Sequence, residues 1–239
     1  SVSHHVPEEL SAAFDLLRDE GAGAMQQRLD EAERAATAKG EENEALRTQL
    51  DGSGQDADEA VAVAQAAIAG GVNVIELTYT TPNVAKAFGQ LEGTDDALIG
   101  AGTVLDAQTA RHALLHGAQF VVSPHFDEEI AKVCNRYNVP YLPGCMTIKE
   151  MVQATEWGCD ILKLFPANGF EPSFIKAVNG PLPKVRIMPT GGINMDNMND
   201  WLDAGAVAVG IGSDLTKAYQ AGGAGQVTDL AKQYRARLG

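Results

Sequence analysis

From about residue 56 to the C-terminus the chain repeats one unit: a helical stretch, a short β-branched run, then a loop rich in Gly, Pro and Thr. The apolar runs stand at 72–80, 97–101, 120–123, 141–143, 160–165, 185–188 and 207–210. Helical patterns occupy 60–69, 108–115, 127–137, 148–157, 172–178, 195–204 and 226–238. Gly70-Gly71, Gly117, Gly158 and Gly205 sit where helices should stop, each just before the next strand. Strands that alternate with helices make βα units and a parallel sheet. Seven such units in roughly 180 residues suit a closed barrel better than an open sheet. No G-x-G-x-x-G follows an early strand, which argues against a dinucleotide-binding fold. The expected class is α/β, a (β/α)8 TIM-type barrel whose first strand is missing or replaced by an N-terminal helical segment.

Residues 1–55 have a different character. They are rich in Ala, Glu, Gln, Arg and Leu, with no β-branched run. Helices are expected over 7–19 and 22–50, the latter broken near Gly40, and Asp51-Gly52-Ser53-Gly54 reads as a flexible linker. The expected division is therefore a helical arm over 1–55, linked near 52–54 to a barrel over 56–239. The arm also holds most of the acidity: 15 Asp and Glu against 5 Lys and Arg in residues 1–60, then 17 against 13 in the remainder, for a net charge of −14. No basic stripe is available for a phosphate backbone, so nucleic acid is not an expected partner. No apolar run is long enough for a membrane span, and no basic-then-apolar leader marks a signal peptide. Cys134, Cys145 and Cys159 have neither metal-ligand spacing nor a disulfide framework, which points to a reducing cytoplasm.

In a barrel, chemistry sits at the C-terminal ends of the strands. Those ends carry Glu76, Thr78 and Thr80; Thr103; Ser123-Pro124; Pro143-Gly144; Lys163 and Phe165; Thr190-Gly191-Gly192; and Gly212-Ser213. Lys163 lies inside Ile-Leu-Lys-Leu-Phe and Glu76 inside Val-Ile-Glu-Leu-Thr, charges flanked by apolar residues. Burying a charge costs several kcal/mol unless it is paired or neutralised. Desolvation of a lysine favours the neutral amine, the form that attacks a carbonyl. Period-2 alternation puts Lys163 on one face with Ile161 and Phe165, and Glu76 with Thr78 and Thr80. If both faces point inward, an amine and a carboxylate share one small cavity. The competing reading is a structural ion pair that fills the barrel.

Pro189-Thr190-Gly191-Gly192-Ile193 and Gly210-Ile211-Gly212-Ser213 follow the last two runs. Glycines let backbone N–H groups approach an oxyanion, and a helix start adds its positive end, with Asn194 and Ser213 as candidate caps. Phosphate held after strands seven and eight is a recurring barrel feature. Other polar residues read more plainly. His4 and His5 belong to the terminus. His112 and His116 are i,i+4 on a helix but lack a third ligand nearby, so no metal is expected. His125 suits a loop filler or a substrate contact, Cys145 small-residue packing, and Met188, Met195 and Met198 the core.

Seven segments taken in order carry a resemblance to a known family: Val-Ile-Glu-Leu-Thr (74–78, after Gly70-Gly71), Ile-Gly-Ala-Gly-Thr-Val-Leu (99–105), Val-Ser-Pro-His (122–125), Leu-Pro-Gly-Cys-Met-Thr (142–147), Leu-Lys-Leu-Phe-Pro-Ala (162–167), Pro-Thr-Gly-Gly-Ile (189–193) and Val-Gly-Ile-Gly-Ser (209–213). Over about residues 56–239 the chain resembles the 2-keto-3-deoxy-6-phosphogluconate (KDPG) / 4-hydroxy-2-oxoglutarate aldolases. The resemblance implies that Lys163 is a Schiff-base lysine and Glu76 a general acid/base. It places Thr103 beside a pyruvyl carboxylate, Pro124 and Phe165 as pocket walls, and Thr190, Gly191, Gly192, Gly212 and Ser213 around a phosphate. The implied reaction splits a phosphorylated keto acid to pyruvate and glyceraldehyde 3-phosphate, with no metal or other cofactor, in a homotrimer. The chain departs from the family in its first strand and in the arginine that family members offer to the substrate carboxylate; Arg47 is the only nearby candidate. Two other readings stay open: an aldolase-derived scaffold or assembly protein with weak or no activity, and another phosphate-binding barrel enzyme, such as one like thiamine phosphate synthase.

Overall fold

The computed structural model describes residues 56–94 and 97–237. The expected helical arm, the linker at 52–54, the replaced first strand and Arg47 lie outside the described residues.

Within them the βα repeat is plain. Helix α1 (Ala57–Ala69) starts where the Asp56 side chain accepts the Glu59 N–H at 2.9 Å, and ends at Gly70. Strand β1 (Val74–Thr78), α2 (Val84–Gln90), β2 (Leu98–Gly102), α3 (Ala107–Leu115), β3 (Val121–Val122), α4 (Glu128–Tyr137), β4 (Tyr141–Leu142), β5 (Gly144–Cys145), α5 (Ile148–Glu156), β6 (Ile161–Leu164), α6 (Ser173–Asn179), β7 (Arg186–Pro189), α7 (Met198–Asp203) and α8 (Ser213–Arg237) follow. All strand pairs are parallel, in the orders β1-β2-β3-β4 and β5-β6-β7. Asp106, Asp127 and Thr147 cap α3, α4 and α5 with their side chains, and the Thr147 cap is a full capping box with Glu150.

Four local expectations need correction. The stave at 141–143 extends to Cys145 and is divided at Pro143, which has no N–H to give a ladder. Its first half pairs with β3, its second half with β6, and the Pro143 carbonyl still accepts the Lys163 N–H at 2.9 Å. The stave at 207–210 reduces to one bridge, Thr190 with Gly210, plus the N–H bonds of Val207 to Ile187 and of Gly210 to Pro189. The helix expected over 195–204 starts only at Met198, because the Asn194 side chain accepts from Asp196 and Asn197 and closes a turn instead of capping a helix. The last helix begins at Ser213, far before 226, and is broken by non-helical geometry at Gly222 and Gly223.

Helix α2 was absent from the expected elements, yet buried Val84, Ala87, Phe88 and the cap residue Leu91 follow the helical i, i+3, i+4, i+7 spacing. Along β1, Ile75 and Leu77 are buried in the apolar core, while Glu76 and Thr78 are half-buried on the other face. Small residues let α8 lie tightly on α1: Ala67 and Ala231 are buried, and the Thr228 hydroxyl donates to the Ala66 carbonyl at 2.9 Å. Val227 and Tyr234 complete the buried face of α8. Burying one valine in this way contributes about 1.5–3 kcal/mol.

Candidate active site

Strands β1 and β6 bring the two isolated charges together. Lys163 is 5% exposed, between Leu162 and Leu164 of the core. Its Nζ stands 3.6 Å from Glu76 Oε1, with the Glu76 side chain 28% exposed. That separation permits charge attraction but exceeds a direct hydrogen bond. The Phe165 ring lies beneath the amine, its centroid 4.9 Å from Nζ, a distance at which a ring face stabilises a cation. Glu76 has room for this pose because of Gly102. A Cβ on Gly102 would fall onto the Glu76 carboxylate, so a glycine on the neighbouring strand is what lets the side chain lie there. The arrangement sets a buried amine beside a partly exposed carboxylate at one end of the strands.

Other expected residues line the same end of the strands. Thr103 follows β2 with φ 54°, a left-handed backbone unusual for a β-branched residue. The Thr80 hydroxyl donates to Thr78 Oγ1 at 3.0 Å, and the Thr78 and Thr81 hydroxyls are 3.4 Å apart. Half-buried Pro124 follows Ser123, and its carbonyl packs against Gly144, the ladder partner of Lys163.

Beyond β7, Thr190 Oγ1 is buried with no hydrogen-bond partner among the described residues, and it occupies the space that a Cβ on Gly210 would fill. Gly191 and Gly192 have φ of 94° and 79°, and the Gly192 carbonyl accepts from Asn197 Nδ2 at 2.9 Å. The Phe165 ring reaches to within 3.6 Å of where a Gly191 side chain would start. Gly212 and Ser213 are exposed, and Ser213 is the first residue of α8. The two glycine loops thus open beside one another, joined by the bridge between Thr190 and Gly210.

The remaining candidates lie elsewhere. His112 on α3 and His116 at its C-terminal cap are exposed. Their rings are 4.3 Å apart, and His112 Nδ1 meets the Tyr79 hydroxyl at 2.9 Å. Burial and then the neighbouring His116 hold the His112 pKa below its ordinary value. Cys145 is buried and its thiol is pushed up to about 12 by burial, the opposite of an activated nucleophile. Among the described residues no cluster of three His, Cys, Asp or Glu could hold a metal ion, and no helix is long and apolar enough to cross a membrane. A cavity of about 900 Å³ opens at the N-terminal ends of β1 and β2, among Val74, Leu98, Phe88 and Leu115, away from the amine and carboxylate. One of about 310 Å³ flanks Gly191 and Gly192 beside Asn168 and Trp201. The described arginines stand on helices or, for Arg186, at the start of β7, where Asp160 pairs with it; none stands at the C-terminal end of a stave.

Two residues of this neighbourhood escaped the sequence reading. Gly102 was legible in principle, since Gly100 and Gly102 alternate onto one face of a buried strand and leave space there. Tyr141 gave no signal, because an aromatic in a short strand reads as core.

Comparison with known proteins identifies the family. The family model described as KDPG and KHG aldolase matches residues 53–230. The 2-dehydro-3-deoxy-6-phosphogalactonate aldolase of Escherichia coli K12 is 35% identical over 188 residues, covering 74% of this chain and 89% of that protein. The 2-dehydro-3-deoxy-phosphogluconate aldolase of Treponema pallidum is 36% identical over 180 residues, covering 74% and 86%. A solved structure of the KDPG aldolase from Legionella pneumophila, with pyruvate captured at low pH as a covalent carbinolamine intermediate, superposes with a TM-score of 0.66 at 31% identity, covering 74% of this chain and 88% of that one. A TIM-type barrel matched along nearly all of the described region, with relatives more than a third identical over most of their own length, has one meaning: the chain belongs to the KDPG and KHG aldolase family of lyases.

Proposed function

We propose that the protein is a class I aldolase that cleaves 2-keto-3-deoxy-6-phosphogluconate, or a close 2-keto-4-hydroxy acid, to pyruvate and glyceraldehyde 3-phosphate through a Schiff base on Lys163. The observation that carries the reading is the buried Lys163 Nζ at 3.6 Å from Glu76 Oε1. The amine adds to the C2 carbonyl of the substrate, and the carbinolamine loses water to give a protonated imine. Glu76, through a water, takes the proton of the C4 hydroxyl. The C3–C4 bond then breaks, its electron pair passes into the imine as an enamine, and the aldehyde leaves. Glu76 returns the proton to C3, and water hydrolyses the imine to pyruvate and free lysine. Proton transfer of this kind contributes about 10²–10⁴-fold.

Thr103 meets the pyruvyl carboxylate, while Pro124 and Phe165 wall the pocket. Thr190, Gly191, Gly192, Gly212 and Ser213 hold the phosphate, a role supported by the positive-φ glycines and the start of α8. Three buried, unpaired cysteines suit a reducing cytoplasm, and a homotrimer rests on family resemblance. Both a phosphogalactonate and a phosphogluconate enzyme stand among the relatives, so the configuration of the sugar acid is decided by assay.

The test is reductive trapping. Incubation with pyruvate and borohydride should add a pyruvyl mass to the peptide containing Lys163, and Lys163→Ala should abolish both the adduct and turnover. An unmodified Lys163 peptide, or turnover that survives Lys163→Ala, would refute the assignment.

A further inference from the structure

We infer that Tyr141 is a positioning residue for the pocket wall, acting through the Ser123–Pro124–His125 loop; the inference rests on the aldolase reading above. Tyr141 is 6% exposed and Ser123 fully buried, yet both carry hydroxyls, and those hydroxyls meet at 2.7 Å. Polar groups taken out of water must be paired, and these form one closed knot. The Ser123 hydroxyl donates to the His125 carbonyl. The Tyr141 hydroxyl reaches the same carbonyl at 3.2 Å and accepts the Asp127 N–H at 3.2 Å. Burial also pushes the Tyr141 phenol well above its ordinary range, so it stays a neutral donor. Both ends of the loop are fixed as well: the Ser123 N–H bonds the Leu142 carbonyl, and Asp127 caps α4.

Pro124, the proposed pocket wall, lies between these anchors and is half-buried. Its carbonyl presses on Gly144 so closely that no side chain would fit there. Gly144 is the ladder partner of Lys163. The knot therefore holds the Pro124 backbone against the strand that pairs with Lys163, without touching the reacting atoms. The phenol is held by its ring too, which packs beside Phe126 with centroids 6.5 Å apart and planes 29° from parallel. A phenylalanine at 141 would keep that packing and lose only the knot.

The experiment compares wild type, Tyr141→Phe, Ser123→Ala and the double variant in cleavage of 2-keto-3-deoxy-6-phosphogluconate, at a temperature where each is folded. Lys163 and Glu76 are untouched, so borohydride trapping at saturating pyruvate should stay within about twofold of wild type while KM for the full substrate rises about tenfold, the mark of a displaced contact. The double variant should be no worse than the more affected single variant, because both hydroxyls serve one unit. A merely structural hydroxyl would lower the melting temperature and leave KM per folded molecule unchanged, and that result overturns the inference. Ser123→Ala alone decides if Tyr141→Phe does not fold. Absence of wild-type turnover and of any pyruvate adduct would sink the aldolase reading and this role together, whereas an active wild type with unaltered variants sinks only the role of Tyr141.

Discussion

Gly102→Ala isolates the geometry of the amine and carboxylate from their chemistry, because it alters neither. The added methyl would sit within 3.0 Å of Glu76 Oε1, Cγ and Cδ, where ordinary contact begins only at 3.4 Å. Gly102 does not have a positive φ, so alanine fits its backbone, and the obstacle is a side chain free to turn away. Glu76 should therefore leave its place beside Lys163 while the barrel stays folded. A displacement of about 1 Å in a catalytic group costs about a hundredfold in rate. That corresponds to about 2.7 kcal/mol of lost barrier reduction. Cleavage should fall by at least that factor with only a small change in melting temperature, and Glu76→Gln should fall comparably. Steady-state kinetics with circular dichroism on the same samples would decide. A folded Gly102→Ala enzyme with wild-type kcat would refute the claim that the 3.6 Å approach matters.

Three further outcomes concern the fold. Thr147→Ala removes the capping box of α5 and should cost about 1 kcal/mol, or about 2–4 °C in a domain this size. Burial alone would raise the Glu150 pKa, but the Met146 and Thr147 N–H groups and the Thr147 hydroxyl outweigh it and hold the carboxyl below its ordinary range. A depressed folded pKa gives stability that is present above the unfolded value and lost as pH falls through the folded one. The difference between wild type and Glu150→Gln should therefore shrink in acid; urea titrations at neutral and acidic pH measure it, and a constant difference would contradict the argument. Gly70→Ala drives a methyl into Ala231 and the Thr228 carbonyl of α8, contacts that cannot swing aside. It should destabilise by about 1–3 kcal/mol in denaturant melts, as overpacking does, and a neutral effect would mean that α8 docks loosely.

Much of the barrel could be read from spacing because the strands of a parallel sheet are largely apolar, and 74–78 and 161–164 are short runs of that kind. Lys163 and Glu76 stood out because they interrupt those runs. Short ladders were harder to bound: Val121–Val122 is two residues long, and the bridge at Gly210 is a single pair. Pro143 could have been read as a division, since a residue without an N–H cannot sit within a ladder. Tyr141 and Ser123 were beyond reach, because their partnership depends on three-dimensional approach across 18 positions of sequence.

The left-handed Thr103 sets two selective pressures against each other. Glycine there would relax the backbone at little steric cost, while a β-branched residue in that conformation stores about 1–3 kcal/mol. A screen for thermal tolerance alone would drift toward glycine at 103 and discard the hydroxyl proposed to greet the keto acid. Keeping threonine through such a screen would require turnover to be selected alongside heat resistance.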